Sequence, residues 1–382
     1  MSRIPLLALM GLLFLSAAFA QGATSYVYVE SNVATVPFQN SVFAFANDGL
    51  GNLIALPNSP YLTGGTGVLA PGSSEVNADQ EVVINAAGTA LYAVNGHTNS
   101  IAAFTINGDG TLSTIAGSPY ASGGQDPVSI GLAGTFLVAA NKNLDPDQDV
   151  DAHVPNYTTF SVKRNGSLRM NPGSTLDLAR ASGPSQALVL GRARLVFGLE
   201  LFTSRIASYS YDKNGLLTEI SFISPTTDHG AFLGEILHPN QRVLYAGLLA
   251  TKELGVYSFD GAGNISFVQA VPNDGIDICW LRLNAAGTRL YSSESVTNTL
   301  TVYDTTDALN PVQIQHVTLN AADGPVINIE LDPAQTFLYA LAGHGIHTLR
   351  VDASGMLNEL ASPTILPIAN RDTPFGMAVT RK

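Results

Sequence analysis

A chain of 382 residues with a formal charge of −12 repels polyanions, which argues against nucleic acid and anionic membrane surfaces as partners. Only 13% of its residues are charged while 36 are glycine and 20 proline, the composition of a turn-rich β protein. A single cysteine, Cys279, excludes a disulfide framework, so the fold must rest on a hydrophobic core, which a chain of this length can bury.

The first residues carry Arg3, an apolar run from Leu6 to Leu15, and Ala18-Phe19-Ala20, a small-x-small cleavage pattern. This order predicts a signal peptide over residues 1–20, a mature chain from Gln21, and a secreted or periplasmic location. The apolar run falls short of the about twenty residues of a membrane helix, so no membrane span is expected after cleavage. A monomer is expected.

One strand pattern then recurs seven times: Val42 to Phe45, Ile101 to Phe104, Tyr157 to Phe160, Ile206 to Tyr209, Leu254 to Tyr257, Leu300 to Tyr303 and Ile346 to Leu349. Successive copies start 46 to 59 residues apart. Most are followed by a polar turn, such as Asn107-Gly-Asp-Gly110 or Asp260-Gly-Ala-Gly263, and by a fourth strand such as Leu112 to Ile115. The clearest copy, Cys279 to Tyr303, holds three strands and two turns. Four antiparallel strands in a period of about 40 to 50 residues predict an all-β, seven-bladed β-propeller spanning residues 21–382.

The first strands of six units are Val82 to Asn85, Val128 to Leu132, Leu188 to Leu190, Leu233 to Leu237, Trp280 to Leu283 and Ile327 to Leu331. The seventh comes from the C-terminus, where Phe375-Gly-Met-Ala-Val-Thr380 lacks a following partner. Tyr26-Val-Tyr-Val29 lacks a preceding one. Pairing the two closes the ring and removes a free sheet edge. Three loops are longer than the repeat needs: Ala34 to Asn40, Thr63 to Asp79, and the acidic Asn141 to Asn156. All three fall on the face shared by the loops from second to third strands and from fourth to next first strands, which marks that face as functional.

The run Tyr92-Ala-Val-Asn95, the segment Asn99-Ser-Ile-Ala-Ala-Phe104, the Gly110-Thr-Leu turn before Gly117-Ser-Pro-Tyr120, and the closing Thr373-Pro-Phe-Gly-Met-Ala-Val379 resemble the lactonase-type seven-bladed propellers. That group includes 6-phosphogluconolactonases and carboxymuconate-cyclising enzymes. The resemblance implies hydrolysis of a lactone, with Glu294 matching the family's glutamate. The family's Pro-Arg-His run reads Ile278-Cys279-Trp280 here, and its histidine-bearing loop aligns near Gln125-Asp-Pro-Val128.

Counting six residues back from the first apolar residue of the third strand gives Asn95, Glu200 and Glu294. Equivalent positions in successive blades are expected on one rim of the channel. There Glu294 and Glu200 would supply a catalytic carboxylate, and Asn95 would bind substrate or the oxyanion. Trp280, the only tryptophan, reads either as a ring that stacks on a ligand at the channel mouth or as part of the core. His97 and His229 are expected to contact substrate, and His344 lies on the same face. Cys279 beside Trp280 reads as a buried thiol. The alternating carboxylates Asp145, Asp147, Asp149 and Asp151 suggest calcium held through oxygen ligands, although no cofactor is required. The expected partner is a small-molecule or carbohydrate ligand. The alternative reading is a non-catalytic propeller scaffold that binds a ligand or a protein on that face.

Overall fold

A computed structural model describes residues 24–70, 77–224, 231–249, 251–320, 324–360, 362–369 and 371–381. The expected signal peptide and His229 lie outside the described residues. The strands form seven antiparallel sheets of four or five strands each. The innermost strands pack side by side in a closed cycle that returns from the seventh blade to the first and then to the second. No helix of the described residues is long and apolar enough to cross a membrane.

Blade 1 is made from both ends of the chain. Its innermost strand is Phe375–Arg381, followed outward by Ser25–Glu30, Ser41–Asn47 and Leu53–Ala55. The register runs from Ser25 opposite Arg381 to Glu30 opposite Phe375. The innermost strands of blades 2 to 7 are Val82–Ile84, Pro127–Ala133, Pro184–Leu190, Phe232–Leu237, Ile278–Leu283 and Val326–Leu331. All seven recurrent segments found in the sequence occupy the third strand of their blades.

Second strands are buried along their whole length in five blades, for example Ala90–Asn95 and Phe337–Ala342. Each lies inside its sheet with a neighbouring blade on both faces, so it reads as a continuous apolar run and not as alternation. Tyrosines in this strand tie the blades together. Tyr28, Tyr92, Tyr245 and Tyr291 donate their hydroxyls to carbonyls of Gly110, Gly166, Ala308 and Gly355 in the outer turn of the following blade. Thr159 and Ser208 make the same link to Gly215 and Gly263. At the closure, Asn47 of blade 1 donates to the Tyr339 hydroxyl of blade 7.

Six innermost strands carry a register shift near their first residues, for example between Pro184 and Gln186 and between Leu233 and Glu235. Such bulges re-aim side chains next to a site. At Gly234 the bulge brings backbone against backbone: φ is +67°, and a Cβ would lie 1.6 Å from the Cys279 carbonyl oxygen. Only glycine fits there.

The long Thr63 to Asp79 insertion ends in a plug. Asp79 N–H donates to Ser185 O of blade 4, and Ile130 N–H of blade 3 donates to Gln80 O. Lys142 of blade 3 donates to Asn77 O, and the Trp280 indole of blade 6 donates to Ala78 O at 2.9 Å. Arg282 grips both carboxylate oxygens of Asp79 at 2.7 and 2.9 Å. Residues 77–80 therefore span the axis on the insertion-bearing face.

Candidate functional site

The plug changes where a ligand can sit. One reading of Trp280 places its ring at an open channel mouth, but that ring is 2% exposed, edge-on to Phe375, with its N–H spent on the plug. No ring face is open for stacking, so Trp280 is a support of the plug. Cys279 is buried, as expected, and burial pushes its thiol pKa well up, away from nucleophilic use.

The expected convergence of Asn95, Glu200 and Glu294 does not occur. Each ends the second strand of its blade, one strand out from the axis; Asn95 and Glu294 face the loop that crosses from the preceding blade, and Glu200 faces the hairpin turn of its own blade. Glu294 is 0% exposed and accepts from the Ser292 hydroxyl and Asn273 amide on Oε1 and from Thr299 on Oε2. Gly275 of the crossing loop lies so close that a Cβ there would stand 2.4 Å from Glu294 Cγ. Asn95 is held in the same way by Asn40 and Thr63 from blade 1. Glu200 is neutralised by Arg205 at 2.9 Å and bonded by Thr203. These three side chains fasten crossing loops and hairpins within or between blades. Burial pushes the Glu294 carboxyl up to about 7, but a general base must also reach water, and its oxygens are enclosed.

The acidic loop also differs from the expectation. Asp145 is buried and turned inward, accepting from Asp147 N–H on Oδ1 and from Gln148 and His97 on Oδ2. Asp149 caps the Asp151 N–H at the loop surface. Among the described residues no group of three or more His, Cys, Asp or Glu side chains is arranged to hold a metal ion. The four aspartates are divided between two local turns and do not form a calcium cage.

What the loop builds instead is a His–Asp pair. His97, in the turn after the second strand of blade 2, donates Nδ1–H to Asp145 Oδ2 at 2.7 Å. The imidazole side chain is 40% exposed and the carboxylate 1%. This fixes the tautomer and leaves Nε2 free to accept a proton, the arrangement of a carboxylate-oriented general base. Gln148 locks the loop by donating to His97 O, and Asn99 donates to Gln148 Oε1. A second histidine–carboxylate pair, His347 with Glu359, is entirely buried and closed to substrate. His344 instead contacts the Asp372 carbonyl and supports the loops of blades 1 and 7.

His97 borders a pocket of about 190 Å3 whose wall takes residues from all three insertions: Pro37 and Phe38 from the first, Thr66 and Leu69 from the second, Asp147 from the third. Phe38 is 60% exposed and sits at φ +58°, a costly backbone conformation for a phenylalanine, held by its N–H bond to Thr66 Oγ1. Sequence reasoning marked His97 and the three insertions but missed Phe38, Thr66 and the pairing with Asp145. The available signal was positional, since His97 and Asp145 lie in the corresponding turns of successive blades.

No family model and no curated protein matches the chain. Solved structures do. A periplasmic gluconolactonase of Pseudomonas aeruginosa superposes with a TM-score of 0.72 at 14% identity over 94% of this chain and 99% of that one. The fold is that of the lactonase-type propellers. A candidate 6-phosphogluconolactonase of Bacteroides fragilis gives 0.68 at 15% identity, covering 94% and 98% of the two chains. A protein from Lactobacillus plantarum gives 0.71 at 15% identity, covering 94% and 99%. At such identities the lactonase-type likeness speaks for architecture alone, and chemistry has to be argued from the site.

Proposed function

We propose that the protein is an exported lactonase-like hydrolase that opens a sugar lactone or related cyclic ester in the pocket where the three insertions meet. The observation that carries this reading is the His97–Asp145 pair at that pocket. In the reaction, His97 Nε2 removes a proton from water as the water oxygen attacks the lactone carbonyl. Asp145 stabilises the imidazolium so formed. The C–O bond to the ring oxygen then breaks, and the imidazolium returns its proton to the departing alkoxide. Phe38 offers an apolar face to the sugar ring.

Charge narrows the substrate. The mouth carries Asp147 and the chain has a formal net charge of −12. A neutral lactone enters such a field freely, whereas a phosphorylated one is repelled, and the hydroxy-acid product leaves as an anion with the field behind it. Export follows from the leader pattern of residues 1–20, and a periplasmic gluconolactonase among the structural neighbours is compatible with it.

His97→Asn decides the matter on the purified mature protein with a panel of neutral sugar lactones. Turnover should fall roughly 10²–10⁴-fold with the melting temperature unchanged. Turnover that survives the substitution removes His97 as base. A wild-type protein with no turnover on any lactone leaves the scaffold reading, which exposed Val36 and Phe38 beside the pocket favour.

A further inference from the structure

The face opposite the three insertions is built from the turns between first and second strands and those between third and fourth strands. In six blades the latter turn is closed by the same bond, from the N–H of its first residue to the carbonyl four residues on. That first residue is Asp48, Asp212, Asp260 and Asp352 in blades 1, 4, 5 and 7, where each carboxylate also accepts an amide of its own turn. Blade 3 places Lys163 there, followed by Arg164. The turns between first and second strands show a like departure one blade on. Blades 2 and 6 carry Asn85-Ala-Ala-Gly88 and Asn284-Ala-Ala-Gly287, whereas blade 4 carries Gly191-Arg-Ala-Arg194. Residues 161–213 hold eight of the chain's 18 Lys and Arg residues and three of its 30 Asp and Glu residues, so this sector is positive in a chain whose formal charge is −12.

A groove of about 660 Å3 lies between blades 3 and 4 on this face. That volume falls within the about 300 to 1,000 Å3 of small-molecule sites. Arg192, Arg194 and Lys213 stand on its wall, and Arg169 lies directly opposite the lining residue Ser161, on the same side of the sheet. All four cations are exposed, and among the described residues no carboxylate pairs with any of them. The one acidic lining residue, Asp212, spends Oδ1 on the N–H groups of Asn214 and Leu216 and Oδ2 on the Asn214 amide. Phe136 of blade 3 and Tyr211 of blade 4 stack with ring centroids 3.8 Å apart and give the groove an aromatic wall.

The wall selects among anions. A phosphate site draws on a nest of free backbone N–H groups. Here the amides of Asn214, Gly215 and Leu216 turn inward to Asp212, and those of Ala193 and Arg194 bond Leu190 O and Gly191 O. Recognition therefore falls to side chains, and a guanidinium fork matches the two oxygens of a carboxylate. The Thr135 hydroxyl and the Gln241 amide on the same wall suit ring hydroxyls, and the aromatic wall suits the C–H face of a sugar. A long polyanion would run past this sector into the field of an acidic chain, which limits the ligand's length. We propose that the groove binds a short acidic sugar chain, with Arg192 and Arg194 taking its carboxylates and Phe136 and Tyr211 lying against its rings.

Isothermal titration of the intact mature protein at low ionic strength with trigalacturonate, maltotriose, tri-glutamate and inorganic phosphate tests this. Trigalacturonate is expected to bind one-to-one and to weaken at least roughly 10-fold in about 0.5 M salt and in the double variant Arg192→Gln/Arg194→Gln. Both arginines are exposed, so the melting temperature of that variant should be unchanged. Lys213→Gln, in the neighbouring turn, should weaken binding too and covers a double variant that fails to fold. Maltotriose lacks the carboxylates and tri-glutamate lacks the rings, and each should bind at least roughly 10-fold more weakly than trigalacturonate. His97→Asn should bind trigalacturonate as the wild type does, which separates this groove from the proposed hydrolytic site. The proposal is overturned by the absence of saturable heat up to about 10 mM trigalacturonate, a range that spans weak binding. It is equally overturned by binding unchanged in the arginine and lysine variants, or by phosphate, maltotriose or tri-glutamate binding as tightly.

Discussion

Glu294, which the sequence resemblance singled out, is held in a three-sided clasp that ties a crossing loop to blade 6. Its carboxyl titrates near 7 in the folded state, against 4.5 when free, because burial outweighs the hydrogen bonds. A group whose pKa rises on folding binds protons more tightly in the native state. Its favourable contribution is complete below pH 4.5 and is lost as pH rises through about 7. At most this is about 3 kcal/mol, taking about 1.4 kcal/mol per unit. Glu294→Gln should therefore flatten the fall in stability between pH 5 and pH 8 by about 1 to 3 kcal/mol, as read by denaturant midpoints at both pH values. An unchanged slope would mean that Glu294 is ionised throughout. Glu30, Glu81 and Glu235, all buried with raised pKa values, are expected to leave a residual slope of the same sign in the variant.

The plug formed by residues 77–80 works as an element because it is bonded to three blades, the third, fourth and sixth, and its anchors are unevenly distributed. Arg282 holds Asp79 with two bonds and Glu330 with one. Asp79→Asn leaves a largely buried guanidinium with half its partners gone, at a cost of roughly 3 kcal/mol. Trp280 reports the change directly, being the sole tryptophan and bonded to Ala78 O. Emission shifted to the red and quenched by external iodide is expected in Asp79→Asn, and unaltered emission would show that the plug does not depend on this ion pair. Here the limits of sequence reasoning have a physical cause. Strand periodicity and turn chemistry are local, so the seven third strands and the Phe375–Tyr26 closure were legible. The plug depends on contacts more than 200 residues apart, as between Asp79 and Arg282, and no local pattern announces them. The same distinction separates His97, visible as a polar residue on an insertion-face turn, from Asp145. That residue looked like one of four calcium ligands because alternation alone cannot reveal which carboxylate turns inward.

The ring of hydroxyl-to-carbonyl links makes stability cooperative around the disc. Each link joins one blade to the next, so deleting any one of Tyr28, Tyr92, Tyr245 or Tyr291 hydroxyls should cost a similar amount, about 1 kcal/mol per Tyr→Phe. Thermal melts of the four single variants test this. A single transition with comparable losses is expected, whereas separate transitions would show blades unfolding as independent units.

The strand Phe375–Arg381 adds a constraint of time. It is the innermost stave of the blade that Ser25–Glu30 begins, so a strand made early in synthesis waits for one made about 350 residues later. During that interval Tyr26 to Val29 present an unpaired apolar edge, the kind of edge that invites aggregation. Closure of the ring therefore comes last, and the edge at Tyr26 to Val29 stays open until Phe375–Arg381 reaches it.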